Sequence, residues 1–334
     1  MASTREIKRT LARRVEAITQ PGFLDRRVAP CLGVAAGAAR PWETRIVQLD
    51  GTGAATVEIR CGPRRAFAKL YPAGEGRAVY DRLRRLREAG FDGRGRYRSV
   101  EPLGFFPEYD MLLTAAAEGE PVAAHIGGDE AALAAGAREA AVWLARLHTA
   151  PVRIGPARGL LESGELLALA RRLAKLMTRR PEHLALALAM IEALERLAAE
   201  TREGLFVQSH GQYRPIHVFV DAAAVTVIDL DRSHPADPAR DVAEFLHRLR
   251  TTTFWRTGSV RAAEGATRAF LTTYAAHAGD GRFLANLRFH WARSIFHSLN
   301  HKLKDAGRDG GETEPVVGFY RSEFDGVLSG RIGF

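Results

Sequence analysis

Two cysteines and four methionines are all the sulfur in these 334 residues. Cys31 and Cys61 lie far apart in sequence and form no CxxC pair, so no disulfide framework is expected and a reducing cytoplasm is the expected compartment. No uninterrupted apolar run approaches the length needed to span a bilayer. The opening Met1-Ala2-Ser3-Thr4-Arg5-Glu6-Ile7-Lys8-Arg9 carries no apolar h-region, so no secretory leader is expected either. Lysine is scarce, limited to Lys8, Lys69, Lys175, Lys302 and Lys304, and the net charge of +9 is therefore carried almost entirely by arginine. A basic balance can serve nucleic acid, a membrane surface or anionic small molecules. Here Arg and Ala are abundant throughout rather than gathered in one tract, so nucleic-acid binding rests on net charge alone and is not the expected use. Internal repeats and low-complexity segments are also lacking.

What is present reads as a soluble two-part chain. The hydrophobic fraction of 46% is ordinary for a globular protein, and the length suits two lobes sharing a cleft better than one core. Residues 1–40 form a basic amphipathic start, with Ile7, Leu11, Val15 and Ile18 at helical spacing, then a loose Gly/Ala/Pro stretch. From Thr44 the period changes to that of strands: 45–49, 55–60 and 66–71, separated by turns at Asp50-Gly51-Thr52-Gly53 and Cys61-Gly62-Pro63-Arg64-Arg65. Lys69 alternates with apolar neighbours on the third of these and points either to solvent or into a cleft. Gly51 and Gly53 could let backbone amides approach phosphates, or could simply turn a hairpin.

A helix follows over about 75–89, with Val79, Leu83 and Leu86 on one face and a C-cap signal at Ala89-Gly90. Glu75 opens it, a first-turn acid that suits the helix dipole. Residues 94–104 read as exposed and Gly/Arg-rich, and 111–114 as a short buried strand. The break at 115–121 sets a lobe boundary near 118, giving an extension at 1–40, a first lobe at 41–118 and a helical lobe at 119–334. Helices are expected at about 130–148, 160–177, 182–201, 239–250, 260–277 and 283–304, with a loose polar tail at 305–318. His148 reads as a helix terminator rather than a base.

The chemistry concentrates in Ser209-His210-Gly211-Gln212-Tyr213-Arg214-Pro215-Ile216-His217 and the segment after it. The β-branched runs 218–220 and 225–230, separated by Asp221-Ala222-Ala223-Ala224, read as a hairpin. If that loop closes squarely, His217 falls beside Ile228 and Asp229, with Gln212 just before. Asp229 follows Val225, Val227 and Ile228 on a core strand, where an unpaired carboxylate is costly. It therefore needs a metal ion, an arginine or a backbone cap.

This stretch resembles the catalytic segment of the aminoglycoside phosphotransferase/choline kinase-like family, relatives of the protein kinases. That pattern is His-Gly-Asp, four residues, Asn, a short hairpin, then Ile-Asp-x-Asp and Pro-x-x-Asp. The chain has His210-Gly211, a five-residue step from 212 to 217, Ile228-Asp229-Leu230-Asp231 and Pro238-Ala239-Arg240-Asp241. Gln212 stands where the family has its catalytic Asp, and His217 where it has its metal-binding Asn. The resemblance covers about residues 45–300. It implies an α+β, two-lobed protein kinase-like fold with a small antiparallel β N-lobe and a larger α-helical C-lobe.

By the same resemblance Lys69 holds ATP phosphates, Gly51 and Gly53 form the nucleotide loop, Glu75 pairs with Lys69, and Asp229 binds Mg²⁺. His210 and Asp241 organise the catalytic loop. His217 and Asp231 are the candidates to assist as metal ligand or base, and Gln212 can orient an acceptor hydroxyl but cannot take its proton. Imidazole suits transition metals better than Mg²⁺. Two functions follow as expectations: an ATP- and Mg²⁺-dependent transfer of phosphate to a small hydroxylated molecule, or a catalytically silent nucleotide- or metabolite-binding pseudokinase that regulates a protein partner.

Overall fold

The computed structural model describes residues 4–35, 41–49, 54–72, 74–157, 159, 171, 181–201, 205–309 and 313–332. The Gly51-Thr52-Gly53 turn lies outside these residues, as does the helix expected over 160–177 apart from its Arg171. The chain divides into two compact units: Met1–Gly119 with Asp221–Asp231, and Glu120–Val220 with Arg232–Phe334.

In the first unit, β1 (Trp42–Leu49), β2 (Ala55–Cys61) and β3 (Arg64–Leu70) follow one another as antiparallel neighbours. Downstream come β4 (Tyr97–Ser99), β5 (Pro102–Phe106) and β6 (Met111–Ala115). Strand order in the five-stranded sheet is β1-β2-β3-β6-β5. Alternation puts Val57, Ile59, Ala66, Ala68, Leu70, Met111 and Leu113 on one face, where they are buried. Helix α1 (Thr4–Thr19) covers that face with Leu11, Val15 and Ile18, spaced i, i+4, i+7 along one stripe. The amphipathic start thus belongs to the core of this unit rather than standing outside it as an extension. Arg14 fastens the same helix by donating to the carbonyls of Tyr71 and Tyr109.

Helix α2 (Glu75–Leu86) buries Val79, Leu83 and Leu86 as its period requires, then runs into a π-helical turn, Arg87–Phe91, in which Gly90 has φ 103°. Residues 94–104 are not the exposed stretch their composition suggests. They form β4 and most of β5, and Ser99 and Val100 are buried. The reason is tertiary: strand Val225–Val227 pairs in parallel with β4, matching Tyr97, Arg98 and Ser99. That pairing draws Asp221–Asp231 into the first unit, although in sequence these residues sit deep in the helical half.

The second unit is mostly helical: α3 (Glu130–Thr149), α4 (Leu184–Ala199), α5 (Ala239–Thr257), α6 (Arg261–Ala278), α7 (Leu287–Asp309) and α8 (Glu314–Leu328). Asp129 caps α3, its Oδ1 accepting from the amides of Ala131 and Ala132 at 2.9 and 3.0 Å. Small side chains at Ala137, Ala140 and Ala141 let α3 lie close against α6. A buried bidentate pair, Arg250 on Glu323 at 2.6 and 2.7 Å, fastens α5 to α8.

Among the described residues of 305–318, no loose tail is present. Helix α7 extends to Asp309, and α8 opens at Glu314 with Pro315 in its first turn. Val317, Tyr320, Phe324 and Val327 recur at helical spacing and are buried, the pattern a continuous reading of 314–328 would have exposed. Among the described residues, no helix is long and apolar enough to cross a membrane.

Ile18 has no exposed surface, so Ile18→Ala is expected to cost about 2–4 kcal/mol by lost transfer energy plus cavity. Urea unfolding would read it. A loss below about 0.5 kcal/mol, the level of an ordinary surface change, would take α1 out of the core.

Candidate active site

The first unit gathers its charge at Lys69. Its neighbours Ala68 and Leu70 point into the core, so the lysine projects from the opposite face of β3. There its Nζ meets two carboxylates, Asp229 at 2.9 Å and Asp231 at 2.5 Å. Tyr71, two residues along and on the same face, donates its hydroxyl to Asp231 Oδ1 at 3.1 Å. From α2, Arg82 donates to the Asp231 carbonyl at 2.6 Å. Burial pulls the Lys69 pKa down, but Asp231 and then Asp229 outweigh it and hold the ammonium above its ordinary value. For Tyr71, burial and the adjoining Asp231 push the phenol up, so it stays a neutral donor.

Asp229 adopts φ 62°, a left-handed conformation rare for a residue with a side chain. It comes straight after the strand Val225–Val227 and Ile228, and the backbone reversal turns its carboxylate toward Lys69. Strain of this kind costs of order 1–3 kcal/mol and gathers where geometry serves function. Lys69, Asp229 and Asp231 keep 30%, 27% and 22% of their side-chain surface exposed, so the cluster is open to a ligand.

Glu75, expected beside Lys69, lies exposed in the first turn of α2. The lysine's ammonium is taken by Asp229 and Asp231 instead. Sequence reasoning missed Tyr71 and Arg82. Tyr71 shares the parity of Lys69 on the strand, and Arg82 falls three residues after Val79, at the margin of the buried stripe. Those were the available signals.

The second unit holds the loop Ser209–His217. Asp241, fully buried in the first turn of α5, accepts from the amides of His210 at 2.5 Å and Gly211 at 2.9 Å. Burial alone would raise its pKa, but His148 and His210 outweigh it and lower the value, keeping it ionised. His148 is not a simple helix terminator. It is buried, with Nε2 3.3 Å from Asp241 and Nδ1 2.6 Å from the Tyr274 hydroxyl. Gly211 has φ 81°, and a Cβ there would come within 2.1 Å of the Arg232 carbonyl, so no larger residue fits. Tyr213 stacks on Trp143 and donates to the Ala140 carbonyl at 2.8 Å, pinning the loop to α3.

His217 stacks on His210, ring centroids 5.8 Å apart, and its Nδ1 lies 3.1 Å from the Gln212 carbonyl. A proton on Nδ1, donated to that carbonyl, leaves Nε2 as the basic atom. Turned with its oxygen toward Arg214, the Gln212 amide accepts from Nη2 at 2.7 Å. Arg214 also donates to Glu244 at 3.0 Å, which Arg248 contacts at 2.8 Å. Burial works to raise the Glu244 pKa, but Arg248 and Arg214 outweigh it and depress the value to about 2. Gln212 and His217 belong to the second unit, Asp229 and Asp231 to the first.

Among the described residues, no group of three or more His, Cys, Asp or Glu is arranged to hold a metal ion. The donor chemistry at Lys69 still fits a hard cation. Two carboxylates already share one positive charge, and Mg²⁺ is usually bound through one or two carboxylates with phosphates and water completing its shell.

Residues 46–279, more than half of the chain, match the profile of the phosphotransferase enzyme family. The chain belongs to this family. Its fold places it among solved phosphotransferases. A thermostable mutant of aminoglycoside phosphotransferase APH(4)-Ia in its apo form is similar at a TM-score of 0.59 and 16% identity, over 93% of this chain and 100% of that one. Aminoglycoside-3'-phosphotransferase of type VIII is similar at 0.52 and 20% identity, over 76% and 93%. Macrolide 2'-phosphotransferase MphH from Brachybacterium faecium is similar at 0.53 and 16% identity, over 92% and 98%. At these identities the likeness is one of fold. No curated protein matches the chain by sequence.

In this phosphotransferase-family chain the Glu244 cluster gives a pH test. A folded pKa of about 2 lies below the ordinary 4.5, so its stabilisation is complete above 4.5 and is lost as pH falls toward 2. An acid-unfolding series is expected to show Glu244→Gln less stable than the native chain at neutral pH, with the two curves converging on acidification. Parallel curves would remove the ionised pair from the stability of α5.

Proposed function

We propose that the protein is an ATP-dependent phosphotransferase that moves a phosphoryl group to the hydroxyl of a small molecule in the cytoplasm. The observation that carries this reading is the Lys69 ammonium set between Asp229 and Asp231, with Asp229 held in a left-handed conformation. Phosphoryl transfer asks little covalent chemistry of the protein: it needs cations on the phosphates and an oriented nucleophile. Lys69 would take the nucleotide phosphates, a role that frees at least one of its carboxylates. Asp229 and Asp231 would then hold Mg²⁺, which when bound neutralises charge on the transferred group. Family membership supports the reaction class. The ternary complexes of APH(4)-Ia with ADP or AMP-PNP and hygromycin B show what a fold neighbour binds, and support a nucleotide and a hydroxylated acceptor here.

In the loop of the second unit, Gln212 would orient the acceptor hydroxyl through its amide. His217, with Nδ1 directed to the Gln212 carbonyl, would supply a basic Nε2 to receive the proton. A second reading draws on the same loop. No carboxylate stands at 212, and the amide is already engaged by Arg214. That favours a silent member of the family, a pseudokinase that binds nucleotide and acts on a protein partner.

Asp229→Ala is expected to abolish phosphoryl transfer from ATP across a panel of hydroxylated acceptors. Full retention of activity would remove Asp229 from the reaction. Gln212→Asp separates the two readings. If the native chain is active, it is expected to raise the rate by up to ~10²–10⁴, the usual worth of a general base. A native chain that binds ATP but transfers nothing, and gains activity only with Gln212→Asp and His217→Asn together, would sustain the silent reading.

A further inference from the structure

The face of the sheet that carries Lys69 also carries a group that the phosphotransferase reading does not use. Val57 and Ile59 of β2 and Ala66, Ala68 and Leu70 of β3 point into the core. Thr56, Glu58 and Arg60, with Arg65, Phe67 and Lys69, therefore share the opposite face, paired as Thr56↔Lys69, Glu58↔Phe67 and Arg60↔Arg65. Arg45 of β1 stands opposite Glu58 from the other side.

Glu58 keeps only 2% of its side-chain surface, and three arginines converge on it. Arg45 meets Oε2 through Nε and Nη2 at 3.0 and 2.7 Å. Arg60 meets Oε1 through Nε and Nη2 at 2.9 and 2.7 Å. Arg65 brings Nε to the same Oε1 at 2.7 Å while lying 5.1 Å over the Phe67 ring. The arginines themselves remain 71%, 47% and 44% exposed. Burial would raise the carboxylate's pKa, but Arg45 and Arg60 outweigh it and depress the value to about 2.

One bidentate guanidinium is enough to satisfy a buried carboxylate. Three place like charges side by side, an arrangement that a strand staple does not need. On β1 and β2 this face holds one other acid, the exposed Glu43 opposite Arg60, and three guanidiniums against two carboxylates still leave positive charge. Arginine's planar fork is the side chain best matched to a phosphate's oxygens. The buried Glu58 fixes the direction of each fork and leaves exposed guanidinium edges toward solvent.

We propose that Arg45, Arg60 and Arg65, set in place by Glu58, form a second phosphate-binding site on the Lys69 face of the sheet. With about 7 Å per two-residue step along a strand, the site lies roughly 7–13 Å from the Lys69 row. A nucleotide or metabolite carrying a phosphate beyond the one at Lys69 would reach it, as would free phosphate. The chemistry recognised is the same in both cases.

Isothermal titration of inorganic pyrophosphate into Lys69→Ala protein reads this site apart from the one at Lys69. Binding is expected to persist in that variant, to weaken by about tenfold or more when Arg45→Gln and Arg65→Gln are added, and to tighten with Glu43→Gln. The double change leaves Arg60 on Glu58 Oε1 through Nε and Nη2, so the buried carboxylate keeps one guanidinium, while Oε2 loses its Arg45 contacts. Circular dichroism would check the fold, and Arg65→Gln alone, which leaves Arg45 on Oε2 and Arg60 on Oε1, repeats the measurement if the double variant unfolds. Loss of all pyrophosphate binding in Lys69→Ala would overturn the site, as would an affinity unchanged within about twofold by the arginine variants.

A second titration, of ADP against adenosine 3'-phosphate 5'-diphosphate into the native chain, distinguishes the sources. A preference for the extra phosphate that disappears with Arg45→Gln and Arg65→Gln supports one ligand spanning both positions. Pyrophosphate binding without that preference supports a separate phosphate. Pyrophosphate binding in a chain that binds no ATP would remove the phosphotransferase reading and leave this site standing.

Discussion

An ammonium between two carboxylates sets the terms for the first unit. Lys69 and Asp229 are 160 residues apart in sequence, and their contact exists only because several independent constraints agree. Strand alternation turns Lys69 away from the core. The parallel pairing of Val225–Val227 with β4 brings the later segment to the sheet, and the left-handed backbone at Asp229 aims its carboxylate. Arg82 and Tyr71 then hold Asp231 from the backbone and the side-chain end. Each partner keeps part of its surface in water, so the energy of the pair is screened and its worth lies more in position than in stability. On the proposed reading, in which Lys69 leaves its carboxylates for nucleotide phosphates, a fully buried, locked pair would not serve.

The second unit rests on the opposite solution. Asp241 is completely buried, and its charge is matched by backbone amides and His148 rather than by an exchangeable cation. Removing any of these partners would leave an uncompensated charge in a low-dielectric interior, so the loop from His210 to His217 is held in one geometry. Partly exposed charge at Lys69 and sealed charge where backbone must be fixed are two uses of the same chemistry. The Arg250–Glu323 pair between α5 and α8 belongs to the closed kind. The Glu58 cluster combines both, with a sealed carboxylate beneath exposed guanidiniums.

Much of the candidate site was legible because its residues are held by local rules. The period of two on β3 fixed the side of the sheet from which Lys69 leaves, and the run ending at Ile228 marked Asp229 as a carboxylate in need of a partner. The His-Gly spacing and the Pro-x-x-Asp signature pointed to the loop and to Asp241. Glu75 was a different case. The family resemblance suggested it as a partner for Lys69, but a helix's first turn faces water as readily as a sheet, and Asp229 and Asp231 take the lysine instead. The strands within 94–104 were hidden by their composition: glycine and arginine give no strand signal, and only the pairing of β4 with a distant segment makes one there.

The sequence by itself determined the apolar faces, the α+β class, the family frame and the types of charged group that a phosphate site requires. The faces follow from periodicity, and the frame and its charged groups from a motif that resembles a known family, all of them read over short stretches of chain. Tertiary structure decided which carboxylates meet Lys69, that Asp221–Asp231 joins the first unit, that α1 lies within the core, and that one glutamate gathers three arginines. Each of these depends on strand order and on the desolvation of charge, quantities that are set only when segments far apart in the chain come together.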